Sequence, residues 1–193
     1  MSELGLPAPT VTSRPPLALG GSLVFGAAVL SALGACASVY FQARSNSTVW
    51  PPVAAPSLNN YIGLMTTITM LLSAMSAIWA LTALRKNERR PAVTAVVFTT
   101  GFAVAGLNAM SFALRDLGFG PADSVYAIVF YAPMIVTLIF TVVGVASLIN
   151  VTARLLGRRD GPGYAVKLKA SVALWLVCVI AWLATYGLLY LVK

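Results

Sequence analysis

Five long stretches of this chain hold no Asp, Glu, Lys or Arg. They run between Arg14 and Arg44, Arg44 and Arg85, Arg90 and Arg115, Asp123 and Arg154, and Lys169 and Lys193. About 20 consecutive apolar residues cross a hydrocarbon core as a helix, and every interval is long enough. Lipid offers the backbone no hydrogen bonds, so only helices and closed barrels can span it, and barrel strands would read as short alternating segments. The second interval exceeds one span because Ser45 to Asn60 is a polar, proline-bearing loop. The expected fold is therefore all-α: a polytopic membrane protein, a bundle of five transmembrane helices. The spans are placed at about 18–43, 60–84, 92–114, 124–153 and 170–192. They form a single domain over 18–193, behind a flexible tail over 1–17.

Composition closes off other classes. The chain is 59% hydrophobic and 9% charged, against about a quarter charged in soluble domains. That excludes disorder, a nucleic-acid-binding domain and an ordinary soluble enzyme. Histidine is absent, which removes the commonest ligand for haem, zinc and copper and the usual catalytic base near neutral pH.

The cations set the expected orientation. Arg85, Lys86, Arg89 and Arg90 follow the second span, and Arg154, Arg158, Arg159, Lys167 and Lys169 follow the fourth. With Arg14 these fall on one side, against Arg44, Arg115 and Lys193 on the other. The positive-inside rule then puts the N-terminus in the cytoplasm and the C-terminus outside. The net charge of +8 reads as topology, with basic loops beside anionic headgroups. Tyr40, Phe41, Trp50, Tyr61, Phe112, Phe119, Tyr126 and Tyr190 would then form an outer interfacial belt. Pro91 would open the third span, where a missing N–H costs nothing. Pro133 should kink the fourth, and Gly161-Pro162-Gly163 breaks the chain before the fifth.

Side chains that carry chemistry are few. Cys36 and Cys178 both fall inside spans and read as small packing residues. Leu33-Gly34-Ala35-Cys36 has the look of a bacterial lipobox, but its apolar stretch continues past the cysteine to Phe41. Met65, Met70 and Met75 recur every five residues, a spacing that gives no shared helix face, so core packing is expected. Thr66, Thr67, Thr99, Thr100, Asn108 and Asn150 should satisfy themselves against their own helix or a neighbour. Ala27, Ser31 and Ala35, and Ala28, Ala32 and Cys36, form two small-residue stripes that imply close helix neighbours on more than one side of the first span. Trp175, Trp182, Tyr186 and Tyr190 form an aromatic stripe suited either to lipid and a partner helix or to internal packing. Asn46-Ser47-Thr48 matches a glycosylation sequon, a pattern common by chance.

One set of motifs is more specific. Val39-Tyr40-Phe41-Gln42-Ala43-Arg44 is followed by Val49-Trp50-Pro51-Pro52 and then Leu58-Asn59-Asn60-Tyr61. In that order they resemble the Tyr-Phe-x-x-Arg, Trp-Pro-Pro and Leu-Asn-x-Tyr of subunit III of cytochrome c oxidase, in its short five-helix bacterial form. Arg115-Asp116-Leu117, the run from Ser124 to Tyr131, and Trp175 with Ala181 to Tyr190 are similar to later parts of that family. The likeness covers roughly residues 19 to 192. The departures concern ionisable groups. The family's membrane-embedded glutamate falls on Val29, two histidines on Thr137 and Phe140, a Trp-His pair on Trp175-Leu176, and an aspartate on Val179.

The resemblance implies a non-catalytic integral subunit of a haem–copper oxidase-type respiratory complex in a bacterial plasma membrane. The chain itself would bind no cofactor. Haem and copper would belong to a core partner subunit, which this chain would stabilise by helix packing and bound phospholipid. Trp50, Trp175, Trp182, Tyr186 and Tyr190 are the candidate lipid or partner contacts. Two alternatives are a similar accessory subunit of another membrane redox enzyme, such as a nitric oxide reductase or membrane monooxygenase, and a small transporter or channel.

Overall fold

The computed structural model describes residues 17–50, 60–157 and 164–192, with only the backbone described for 17–19. The expected tail, Trp-Pro-Pro's prolines and the Gly161-Pro162-Gly163 break lie outside these residues. The described residues form five α-helices: α1 (Leu17–Ser45), α2 (Asn60–Arg85), α3 (Arg89–Arg115), α4 (Val125–Leu156) and α5 (Tyr164–Tyr186). A π-helical turn, Gly187–Leu191, continues α5. No strand occurs among the described residues. All five helices are long and apolar enough to cross a membrane.

The helices overrun the expected spans, most of all where charges cluster. α5 starts at Tyr164 rather than 170 and so includes Lys167 and Lys169. α4 runs to Leu156 and includes Arg154. A charge-free interval marks the lipid-immersed part of a helix, whereas the backbone can stay helical for another turn or two in the headgroup layer. α3 begins at Arg89, so Pro91 is its third residue and not its first. Its missing N–H still falls among the first four, which have no partner inside the helix. α4 continues through Pro133, which is buried.

Local chemistry sets the ends. Ser124 caps α4, its hydroxyl accepting from the Ala127 N–H at 3.1 Å. Between α2 and α3 the Glu88 N–H bonds to the Ala83 carbonyl and the Asn87 N–H to the Leu84 carbonyl. This is a Schellman closure, and Asn87 supplies its left-handed residue at φ 57°. The turn is so tight that α2 and α3 pack along their whole length. Near the turn the small residues Ala77, Ala80 and Ala83 of α2 and Ala92 and Ala95 of α3 are buried, and further along Gly106 leaves room for Met70.

α2, α3, α4 and α5 close a four-membered ring, in which α2 packs on α3, α3 on α4, α4 on α5 and α5 on α2. α1 stands outside the ring against α4 and α5. Trp175, Trp182, Phe130, Met70 and Leu148 fill the interior. Gly144 makes room for this core. A Cβ there would lie 2.9 Å from Cys178 Sγ and 3.1 Å from the Trp175 ring.

Two packing expectations change. Of the three methionines, only Met70 is in the core. Met65 and Met75 face outward, as their lack of a shared face dictates. The two small-residue stripes of α1 find no neighbours on both sides. Ala27, Ala28, Ser31 and Ala35 are exposed. α1 is seated instead through Ser22, Gly26, Val29, Leu33 and Tyr40.

Candidate functional site

Three arrangements could carry function. The first is a ladder of hydroxyls and indoles inside the ring. Trp175 Nε1 donates to Ser73 Oγ at 2.8 Å, and Ser73 Oγ donates to the Thr99 carbonyl at 3.1 Å. Ser76 and Thr99 hydroxyls meet at 2.9 Å. Trp182 Nε1 donates to Thr67 Oγ1 at 3.0 Å. Thr100 meets Thr152 at 2.8 Å, Thr137 meets Thr185 at 2.7 Å, and Ser147 donates to Ser171 at 2.9 Å. Every neighbouring pair in the ring is thus joined by at least one side-chain hydrogen bond, and no buried side-chain N or O among the described residues lacks a partner. This ladder is a structural device, because neutral hydroxyls and indoles supply specific pairing without a titratable group.

The positions where the resemblance sets ionisable residues carry packing groups. Val29 is fully buried in the α1–α5 seam. Thr137 bonds to Thr185. Phe140 meets Phe25 edge-on, with centroids 5.1 Å apart. Val179 is core, and Leu176 packs against that core.

The second arrangement is an aromatic cluster at the end of the bundle holding Arg44 and Arg115. Trp50 lies edge-on to Tyr40 (5.5 Å) and Tyr126 (5.1 Å). Phe119 touches Tyr126, Phe130 and Tyr131. Phe130 leads to Tyr190, and Tyr190 stacks on Tyr186 at 5.1 Å. Gly63 admits these last two rings, since a Cβ there would lie 2.9 Å from Tyr190 and 3.1 Å from Tyr186. Hydrogen bonds tie the cluster to the end of the chain. Trp50 Nε1 donates to the Tyr40 hydroxyl (3.2 Å), and Tyr40 (3.3 Å) and Arg44 Nη1 (2.9 Å) both donate to the Val192 carbonyl. The expected interfacial belt is corrected here. Tyr40, Tyr126 and Tyr190 are buried against Trp50, Phe130 and Tyr186, Trp50 and Phe119 are half-buried, and Phe41, Tyr61 and Phe112 face out. Aromatic rings on three elements at one depth bury more surface by meeting than by facing lipid separately.

The candidate contacts divide in the same way. Trp175 and Trp182 are 0% exposed, so in this bundle they touch neither lipid nor partner. Their seven-residue spacing, about two turns, puts both on the face of α5 that looks into the ring. Tyr190 is also buried. Trp50 and Tyr186 keep partial exposure.

The third arrangement was not foreseen from sequence. α1 seals against α4 and α5 only at mid-height, through Phe25, Val29, Leu33, Phe140, Val177 and Ala181. Toward the basic end the seam opens into a groove of about 520 Å³, lined by Ser22, Ser147, Asn150, Arg154, Lys167 and Ser171 among others. Arg154 Nε donates to Asn150 Oδ1 at 2.8 Å, one helical turn away. Toward the aromatic end lies an apolar pocket of about 280 Å³ between Leu33, Phe41, Pro133 and Leu188. The signal for the groove was present as Asn150 and Arg154 at a four-residue spacing beside Lys167, but only packing shows that they face one cavity.

Residues 24–193 match the family model for cytochrome c oxidase subunit III. The chain belongs to the cytochrome c oxidase subunit III family. Two proteins named cytochrome c oxidase subunit 3 are similar to it over 144 residues. That of Gallus gallus is 27% identical and that of Coturnix japonica 26%. In each case 73% of this chain aligns with 54% of the relative, so the chain spans about half the length of these relatives. The family match covers all but the start of α1 and takes in the other four helices, the ladder, the aromatic cluster and the groove's lining except Gly21 and Ser22. This subunit III family member is therefore a divergent, multi-pass membrane protein.

Proposed function

We propose that this chain is a non-catalytic integral subunit of a haem–copper oxidase-type respiratory complex, and that it stabilises the core subunit by helix packing and lipid binding. The family match over residues 24–193 carries the reading. In it, redox and proton chemistry belong to the core partner, which holds haem and copper. The ladder and the aromatic cluster keep the four-helix ring rigid. The groove between Arg154 and Lys167 holds a phospholipid phosphate, with serine hydroxyls and Asn150 as neutral donors. Trp50 and Tyr186 are the aromatic contacts left with surface to offer. The basic end faces the cytoplasm of a bacterial cell, in keeping with the positive-inside rule.

Purification of the tagged chain in mild detergent, with mass-spectrometric identification of neighbours and an absorption spectrum, tests this reading. A co-purifying haem–copper core is expected. Because Val29, Thr137, Phe140, Leu176 and Val179 replace the family's ionisable residues, a different redox metalloenzyme is the second reading, and its recovery would displace the first. Recovery of the chain with no redox enzyme would overturn both. Orientation is read by cysteine labelling, with Ser47→Cys reacting from outside and Asn87→Cys only from inside.

A further inference from the structure

α3 packs on α2 and α4 and turns its remaining face outward. That face carries Phe98, Gly101, Val104, Ala105, Asn108 and Phe112, all exposed. Asn108 is the polar residue in an otherwise apolar strip. It lies seven residues inside Arg115, roughly 10 Å along the axis, so it sits within the apolar part of the span. Thr94, Thr100 and Ser111 on the same helix each donate to the carbonyl four residues back. The Asn108 side chain makes no hydrogen bond to any described residue. Its carboxamide brings two donors and an acceptor to a surface where lipid tails offer neither.

This demand separates the α3 face from the free face of α1. The outward residues of α1 are mostly apolar, such as Leu23, Val24 and Leu30, with a small hydroxyl at Ser31, whereas an open amide in hydrocarbon, with two donors and an acceptor, is costlier until another polar group meets it. Gly101 lies on the same line as Asn108, two turns away. A Cβ placed on it would meet nothing within 4 Å, so the α3 backbone is open to close approach.

We propose that the α3 face centred on Asn108 docks a transmembrane helix of a non-identical partner subunit. The Asn108 carboxamide pairs with a hydroxyl, amide or carboxyl side chain of that helix, and Gly101 lets the two backbones come together. The inference rests on the reading of this chain as a subunit of a membrane complex. That membership argues for a different polypeptide, rather than a second copy, as the occupant.

The test uses the complex as purified from cells in mild detergent. Core subunit recovered per tagged chain is measured by quantitative mass spectrometry for the wild type, N108L, N108Q and the α2 surface control I78L. A photo-crosslinking residue at position 105, on the same face but away from Gly101, reports the neighbour. N108L should retain the partner about three- to tenfold less well, the range for loss of one interhelical hydrogen bond. N108Q and I78L should retain it as the wild type does, and position 105 should crosslink to the partner. Retention by N108L equal to that of the wild type overturns the inference, as does a crosslink joining two copies of this chain or none at all. If the wild type itself brings no partner, the functional reading and this inference fall together. If the wild type brings one and N108L brings it equally, the inference falls alone.

Discussion

The ring of α2 to α5 and the outlying α1 are both apolar helices in one bundle, yet they are held by different means. Neighbours within the ring are joined at depth by side-chain hydrogen bonds, such as Trp175 to Ser73 and Thr137 to Thr185. α1 rests at mid-height on apolar contacts, with Phe25, Val29 and Leu33 against Phe140, Val177 and Ala181. At one end Tyr40 and Arg44 tie it to the Val192 carbonyl. Burial follows the same division: 22% of the most apolar stretch of α1 is buried, against 44% for α4 and for α5. Hydrophobic burial drives soluble helices together, but lipid is as apolar as leucine, so close packing and hydrogen bonds must do that work here. The ring has both. α1 has close packing on one side only.

The sharpest way to break this contrast is to remove the centre of the ring. Trp175→Ala deletes a side chain with no exposed surface and leaves Ser73 without its indole donor. A loss of about 3–5 kcal/mol is expected, read as collapse of the thermal unfolding midpoint in detergent. Leu30→Ala on α1, where the residue is 58% exposed, should leave that midpoint unchanged. Equal losses from the two variants would show that the ring is no more than the sum of its helices. Gly144→Leu attacks the same place by overfilling. Its Cβ alone would press on Cys178 and Trp175, for an expected cost of about 1–3 kcal/mol.

The seam between the two regions gives a milder test. Arg154→Gln with Lys167→Gln removes both cations from the groove that α1 shares with α4 and α5. Phospholipid retained through purification, counted by native mass spectrometry, should shift from anionic to zwitterionic species, with little change in unfolding temperature. An unchanged lipid profile would take the groove out of the functional reading.

The count of helices was legible because a missing charge is a strong signal in lipid. No soluble motif competes with five intervals such as Arg90 to Arg115. The family was legible from Tyr40-Phe41, Arg44 and Trp50-Pro51-Pro52, which follow one another in the order that the resemblance implies. Facing was harder to read. Trp175 and Trp182 were candidates for contact because an aromatic stripe looks the same whether it faces a partner or the helix's own bundle. Only the positions of Ser73 and Thr67 on α2 decide the matter. Tyr40 and Tyr126 were expected at the lipid interface because sequence gives depth along a helix but not direction around it. The groove depends on Arg154 and Lys167 being brought to one opening from different helices, and that distance has no counterpart in linear spacing.

The smallest effect tests the ladder itself. Trp182 Nε1 donates to Thr67 Oγ1, and Thr67 Oγ1 in turn donates to the Gly63 carbonyl of its own helix. Thr67→Val keeps the shape and removes the acceptor. Trp182→Phe removes the donor and part of the ring. Each change alone also alters packing, so the pair is apportioned by a double-mutant cycle from unfolding in mixed micelles. A coupling of about 0.6 kcal/mol is expected, with about 1.7 kcal/mol as the upper range for such bonds in a membrane bundle. The value is small because Thr67 keeps its bond to Gly63 in every background that retains the hydroxyl. A coupling indistinguishable from zero would mean that the indole sits beside the hydroxyl without gaining from it. Shape alone would then hold α5 against α2, and the distinction between ring and outlier would reduce to how tightly each is packed.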